Sequence, residues 1–272
     1  MNKLLISLLC LSFFISCNKE DVNPNNFTTT TISLATHKLT TYSIMKNTKY
    51  LIVFETGLGD DHSIWNQKNL PSMINTKEDV LLYDRAGYGK SEKGPAPRNI
   101  EKLSSELDSV INKFANGRKV ILVGHSLGGM IIRDYVIKNS SKTAGILFID
   151  PSHETYNNPT QSQEDLIYNT FLSSNGVDFG GTMEARELIE DSQYLTTLPN
   201  LPNVPVIVLT SMKVDASHNS TDRQSWFNAH ELLKTSLTDF THISTTNSGH
   251  YIFLEEPNLV LDNLNLLISK LP

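Results

Sequence analysis

The sequence predicts an α/β fold, a mostly parallel sheet with helices on both faces and a small helical cap insertion. Three observations lead there. Short apolar runs without polar alternation recur at 50–54, 80–83, 120–123, 144–149 and 204–209, as strands buried on both faces require. Segments of helical period separate them; in 100–114, Leu103, Leu107, Val110, Ile111 and Phe114 share a face. The Gly- and Asp-rich loops all follow strands, and in open α/β sheets the reacting groups collect at the carboxyl ends of the strands.

Taken in order, residues 31–45 alternate loosely and suit an opening antiparallel hairpin. Strand 50–54 ends in Glu55-Thr56-Gly57-Leu58-Gly59, and strand 80–83 in Asp84-Arg85-Ala86-Gly87-Tyr88-Gly89-Lys90-Ser91. Helix 100–114 precedes strand 120–123, which collides with Gly124-His125-Ser126-Leu127-Gly128-Gly129 before a helix over 130–136. A strand that turns so sharply into a helix needs glycines at the flanks and holds its central serine in a strained conformation, with the hydroxyl lifted clear of the sheet. Strand 144–149 closes on Asp150-Pro151. Residues 153–203 carry no clear strand, but helix-like pieces at 163–172 and 183–195 present Leu166, Ile167, Phe171, Leu188 and Ile189, enough apolar surface to dock as a cap. Strand 204–209, a helix at 225–237, strand 241–245 and an amphipathic helix at 258–271 complete the domain.

A chain of 272 residues with ordinary apolar content holds one large α/β domain, here 32–272. The net charge of −6 and the lack of any Lys/Arg run argue against a nucleic-acid partner. The N-terminus differs in character. After Asn2-Lys3, residues 4–15 are almost wholly apolar, too short for a membrane span, which needs ~20 residues. The run ends in Ser16-Cys17, followed by a polar stretch, and residues 1–17 resemble a bacterial lipoprotein signal with Cys17 as the acylated mature N-terminus. That resemblance implies a protein lipid-anchored in the bacterial cell envelope, at the outer membrane, facing periplasm or exterior. Residues 18–31 then read as a flexible tether. The other cysteine, Cys10, is lost with the signal, which leaves no thiol for a disulfide or a metal site.

From about residue 31 to the C-terminus the chain resembles the α/β-hydrolase family. The carriers are the elbow Gly124-His125-Ser126-Leu127-Gly128-Gly129, the loop 83–91, and Ser248-Gly249-His250 with Glu255-Glu256-Pro257 beyond it. The resemblance implies Ser126 as nucleophile, His250 as its base, and an oxyanion hole from the backbone amides of Leu58 and Leu127. Where the commonest pattern has His-Gly, this chain has Thr56-Gly57; the amide donor survives, and Glu55 is expected to hold the loop. The triad acid must fall between serine and histidine. Asp150 and Asp215 both comply, and the sequence does not separate them.

Asp84 and Arg85 come too early for the acid and are expected to fix their own loop. His125 should point away from the serine, His153 and His218 lie near the site edge, and His37, His62, His230 and His242 have no comparable placement. The expected activity is carboxylic-ester hydrolysis of a small-molecule ester or acyl substrate through an acyl-enzyme, without metal or organic cofactor. An acyltransferase, peptidase or carbon–carbon bond hydrolase would use the same triad. A non-catalytic binding or sensing protein on this scaffold is the rival from another class, and the presence of both Ser126 and His250 speaks against it.

Overall fold

The computed structural model describes residues 27–68, 70 and 78–272. The signal, Cys17 and most of the tether lie outside them. Eight strands, β1 (Thr28–Ser33), β2 (Lys38–Ile44), β3 (Leu51–Glu55), β4 (Asp79–Tyr83), β5 (Val120–His125), β6 (Thr143–Ile149), β7 (Val206–Ser211) and β8 (Phe240–Thr245), form one sheet in the order β1-β2-β4-β3-β5-β6-β7-β8. β2 pairs antiparallel with both β1 and β4, and every other neighbouring pair is parallel.

β1 begins inside the segment assigned to the tether, which corrects that boundary. Its register runs from Thr28↔Ser43 to Ser33↔Lys38. Only Ile32 in β1 is buried, so an edge strand of threonines resembles a tether in composition while its β-branched residues favour pairing. The inner strands β3 to β7 are buried at every residue, because successive side chains enter two different cores. Leu51, Val53, Leu122, Ile146 and Phe148 pack with Leu103, Leu107 and Ile131 on one face. Ile52, Phe54, Ile121, Val123 and Leu147 pack with Trp65, Val260, Leu264 and Leu267 on the other.

Helices α1 (Ile100–Ala115) and α2 (Leu127–Lys138) thus cover one face, and the C-terminal helix (Pro257–Ser269) covers the other. The cap comprises α3 (Gln161–Asn175), α4 (Gly180–Glu184) and α5 (Leu188–Leu195). The piece expected over 183–195 is therefore two helices, and Glu164 of α3 satisfies the start of the second by accepting from Ile189 N–H at 3.0 Å. β7 starts at Val206, after Pro205, which has no N–H to give the ladder. Helix α6 (Ser220–Glu231) begins five residues before the predicted 225, because Asn219 and Asp222 close a capping box around its first turn. Among the described residues no helix is long and apolar enough to cross a membrane.

β4 lies on one side of β3 and β5 on the other, so the winding reverses between β3 and β5. Such a switch point opens a crevice at the carboxyl ends of the two strands. The loop after β3 and the elbow after β5 meet in it.

Candidate active site

Ser126 sits at the elbow with φ 53° and ψ −124°, an uncommon conformation for a residue with a side chain. Packing enforces it. A β-carbon on Gly128 would lie 2.4 Å from the Glu55 carbonyl oxygen, and one on Gly124 would lie 2.6 Å from Ile132 Cδ1. Only glycine lets the helix start this close to the sheet. Leu127 opens α2, so its amide belongs to the unpaired, positive end of a helix. Gly57, Leu58, Ser126 and His250 line one cavity of about 320 Å³.

Of the two carboxylates left open by the sequence, Asp150 is the one that meets His250. Asp150 follows β6 with φ 44° and is wholly buried. Its Oδ2 accepts from His250 Nδ1 at 2.7 Å. Its Oδ1 accepts from Ser211 N–H at 2.8 Å and from Trp226 Nε1–H at 2.7 Å. Burial alone would raise this carboxyl, but the bonds and charge from His250, with Trp226 helping, hold it below the usual carboxylate range. Asp215 is engaged elsewhere. It accepts from the Ser217 and His218 amides, both at 2.8 Å, and pairs with His218 Nδ1 at 3.0 Å, its side chain 42% exposed. The physical reason is reach: β7 extends to Ser211, and Asp150 bridges the end of that strand to the histidine loop, leaving Asp215 to close its own turn.

His250 is held from several sides. Ser211 Oγ donates to the Ser248 carbonyl at 2.8 Å, Ser248 Oγ donates to Glu256 at 2.6 Å, and Gly249 N–H donates to Glu255 at 3.1 Å. The Glu255-Glu256 pair beyond the histidine thus fastens its loop. His125 turns away from the serine as expected, its Nε2–H donating to the His250 carbonyl at 3.0 Å. Burial, with the charge of His250, keeps its imidazole well below the ordinary histidine value, hence neutral.

Arg85 does more than fix its own loop. Its Nη1 donates to Glu55 and to the Thr56 carbonyl, both at 2.9 Å, and its Nη2 donates to the Gly57 carbonyl at 2.9 Å. The same guanidinium makes a two-pronged pair with Glu184 of the cap at 2.8 and 2.9 Å. Tyr88 completes the link, its hydroxyl donating to Glu184 at 2.6 Å and accepting from Gly59 N–H at 3.2 Å. Glu55 holds this loop as expected, through Arg85 and through Tyr83 OH at 2.5 Å. Asp84 holds its own loop by accepting from Lys90 N–H at 2.9 Å, but it also reaches beyond it, accepting from Tyr42 OH at 3.0 Å and from His62 N–H at 3.1 Å.

Residues 50–260 match the alpha/beta hydrolase fold family. The chain belongs to that family. Among curated relatives it is similar to "Uncharacterized protein YqjL" of Bacillus subtilis (strain 168), 26% identical over 213 residues, which is 77% of this chain and 79% of that one. It is also similar to the "(Lyso)-N-acylphosphatidylethanolamine lipase" of Bos taurus, 28% identical over 103 residues, covering 37% of this chain and only 30% of the lipase. Of solved structures, the epoxide hydrolase CorEH superposes with a TM-score of 0.68 at 15% identity, covering 89% of this chain and 99% of its own. A thermophilic esterase from Thermogutta terrifontis gives 0.68 at 16% identity, over 89% of this chain and 98% of its own. At these identities the structural likeness is one of fold.

Sequence reasoning missed what this alpha/beta hydrolase places behind its candidate acid. Trp226 and His230 stand four positions apart on α6, hence on one helix face. Trp226 donates to Asp150, and His230 Nε2–H donates to the Pro151 carbonyl at 2.6 Å. His230 Nδ1 must then accept from Thr210 Oγ1, 2.6 Å away, and Thr210 accepts in turn from His242 Nε2 at 2.7 Å. His242 Nδ1 ends the chain against Glu231 at 2.5 Å. Burial drives His230 down to about 3, so this imidazole behind the Asp150 loop is neutral. The i,i+4 spacing of Trp226 and His230 was readable; its target was not.

His218 lines the cavity, whereas His153 is buried against Glu154 at 3.4 Å outside its lining. Among the described residues one group has metal-ligand atoms close together, Asp61, His62 and Asp84. Its histidine is already paired with Asp84 at 2.6 Å and stacked on Tyr42.

Proposed function

We propose that the protein is a serine hydrolase of small carboxylic esters, with Ser126 as nucleophile, His250 as general base and Asp150 as the acid of the triad. The observation that carries the reading is the 2.7 Å His250–Asp150 pair at the wall of the cavity that Ser126 also lines. With Nδ1 directed at Asp150, Nε2 is the nitrogen left to take the serine proton. Ser126 Oγ attacks the ester carbonyl, and the developing oxyanion is received by the Leu58 and Leu127 amides. The proton on His250 passes to the departing alcohol as the C–O bond breaks. Water then gives a proton to His250 and attacks the acyl-enzyme, which releases the carboxylic acid and restores the serine.

Small size is part of the proposal. A cavity of about 320 Å³ has Leu58 as its single aliphatic side chain among glycines, polar and charged groups. A long acyl chain would have to extend beyond a cavity of that volume.

Ser126→Ala should lower turnover of a short-chain ester by at least about a thousandfold with the thermal unfolding midpoint preserved. A fluorophosphonate should label wild type and not the variant; equal labelling or equal turnover overturns the nucleophile assignment. The lipoprotein reading belongs to the same proposal: an enzyme exported and held by an acylated Cys17 in the cell envelope. Fatty-acid labelling in the producing bacterium should tag the full chain and fail with Cys17→Ala; label retained in the variant would refute the anchor.

A further inference from the structure

Arg223 is the odd arginine of this chain. Each of the other five has a carboxylate oxygen within 2.8 Å of its guanidinium. Arg223 is only 5% exposed, yet the carboxylate beside it, Asp215, stands at 3.4 Å. That acid is shared with the Ser217 and His218 amides, both at 2.8 Å, and with the His218 ring. The guanidinium gives Nε–H to the Lys213 carbonyl at 2.7 Å, and its Nη1 meets no acceptor among the described residues. Burying a cation so thinly supplied is costly unless something else brings the acceptors.

The place of Arg223 points to what brings them. Arg223 and His250 wall both the Ser126 cavity and a notch beside it of about 20 Å³, room for one oxygen-sized atom. Ser152, Tyr156 and Asn157 also line the notch. The Asn157 oxygen accepts from His153 N–H at 3.0 Å, so its NH2 is what it has left to offer. That amide and the Ser152 and Tyr156 hydroxyls meet no acceptor among the described residues. Asp150 touches the notch too, but its oxygens are committed to His250, Ser211 and Trp226. Ser152 N–H donates to the Ser126 carbonyl at 2.9 Å, so this set of donors begins beside the nucleophile. Of the other acids that line the cavity, Glu255 is paired with Lys213 at 3.0 Å. Asp60 follows β3, with β5 and its serine between it and the notch that follows β6. Donors without acceptors call for an acceptor, and beside a guanidinium an anionic one fits best.

We infer that Arg223, with Ser152, Tyr156 and Asn157, forms a subsite for a carboxylate carried by the substrate, making short esters with a free acid group the preferred substrates. This rests on the hydrolase reading above and narrows its substrate class. One carboxylate oxygen enters the notch, and the other stays with the guanidinium at the cavity wall. Arginine suits this role because its charge is permanent and its planar fork matches a carboxylate.

Calorimetric titration of the Ser126→Ala protein at about pH 7 measures the subsite apart from turnover. Monoethyl succinate is compared with ethyl levulinate, and acetoxyacetate with acetoxyacetone; in each pair a methyl ketone replaces the carboxylate and keeps its shape. The acid should bind at least about tenfold more tightly than the ketone in at least one pair. Asn157→Asp keeps the acceptor that His153 uses and puts a carboxylate where the donor stood, and Arg223→Gln removes the cation. Either change should bring the ratio to within about threefold of one. If Arg223→Gln does not fold, Asn157→Asp decides. Equal affinity within both pairs, or a preference that survives either change in folded protein, overturns the subsite and leaves the hydrolase reading to its own tests. If the preference is found but wild type hydrolyses none of these esters, the hydrolase reading fails and the subsite stands.

Discussion

A carboxylate with no exposed surface keeps its charge only when donors replace the water it has lost. Asp150 has three such donors, Ser211 N–H, Trp226 Nε1–H and His250 Nδ1–H, all within 2.8 Å. Two of them fix the carboxylate, and the third is the one it orients. Asp150→Asn keeps the shape but offers an N–H where His250 needs an acceptor, which favours the wrong imidazole tautomer. The fall in kcat should be roughly a thousand- to ten-thousandfold. Asp215→Asn, at a half-exposed residue that closes its own turn, should stay within about threefold. Steady-state rates on one short ester compare the two directly. A deeper fall for the Asp215 variant would reverse the assignment.

At the scale of elements, α6 is a backing plate for the acid loop, and it explains why the site was only partly legible. Strands β3 to β7 were readable because burial on both faces leaves unbroken apolar runs. Ser126 and His250 were readable because a strained turn and a late Gly-His loop have local signatures. The candidate acid was not: Asp150 and Asp215 each end or follow a strand, and what separates them is contact with His250, made by Asp150 while Trp226, 76 residues further on, holds its carboxylate. The start of α6 was misjudged for a related reason, since its first turn is polar and is set by the Asn219 cap rather than by apolar period.

The same helix brings a pH dependence. His230 is fully buried and neutral, with its pKa lowered to about 3 by burial. The unfolded chain takes up a proton near 6.5, which the folded chain refuses until about 3. Its contribution is therefore intact above about pH 6.5 and is lost as pH falls toward 3, at up to about 1.4 kcal/mol per unit. His230→Gln should be less stable than wild type at about pH 7.5, because Pro151 and Thr210 lose a partner that bridges them. It should also lose less stability than wild type between about pH 6.5 and 4.5. Denaturant unfolding at the two pH values tests this; parallel slopes would mean that His230 is not held neutral.

Over the whole molecule, the sheet supplies the switch point at β3 and β5, but the loop that must aim the Leu58 amide is glycine-rich and has no rigid element of its own. Its rigidity comes from elsewhere. Arg85, beyond the end of β4, holds the Thr56 and Gly57 carbonyls, and Glu184 of the cap holds Arg85. Cap and Leu58 loop are thus parts of one buried ionic cluster, with Glu55, Arg85 and Glu184 each no more than 2% exposed. Such a cluster gives little net stability when intact, yet removing one partner leaves uncompensated buried charge. Arg85→Met strands two carboxylates, and it should cost about 3–5 kcal/mol and lower the thermal midpoint. It should also lower kcat, because the loop amide loses its fixed aim. Glu184→Gln in the same background relieves one of the stranded charges, so the double variant should be more stable than the sum of the two single losses predicts. A double-mutant cycle that closes to zero would separate the cap from the loop and leave Arg85 bound to Glu55 alone.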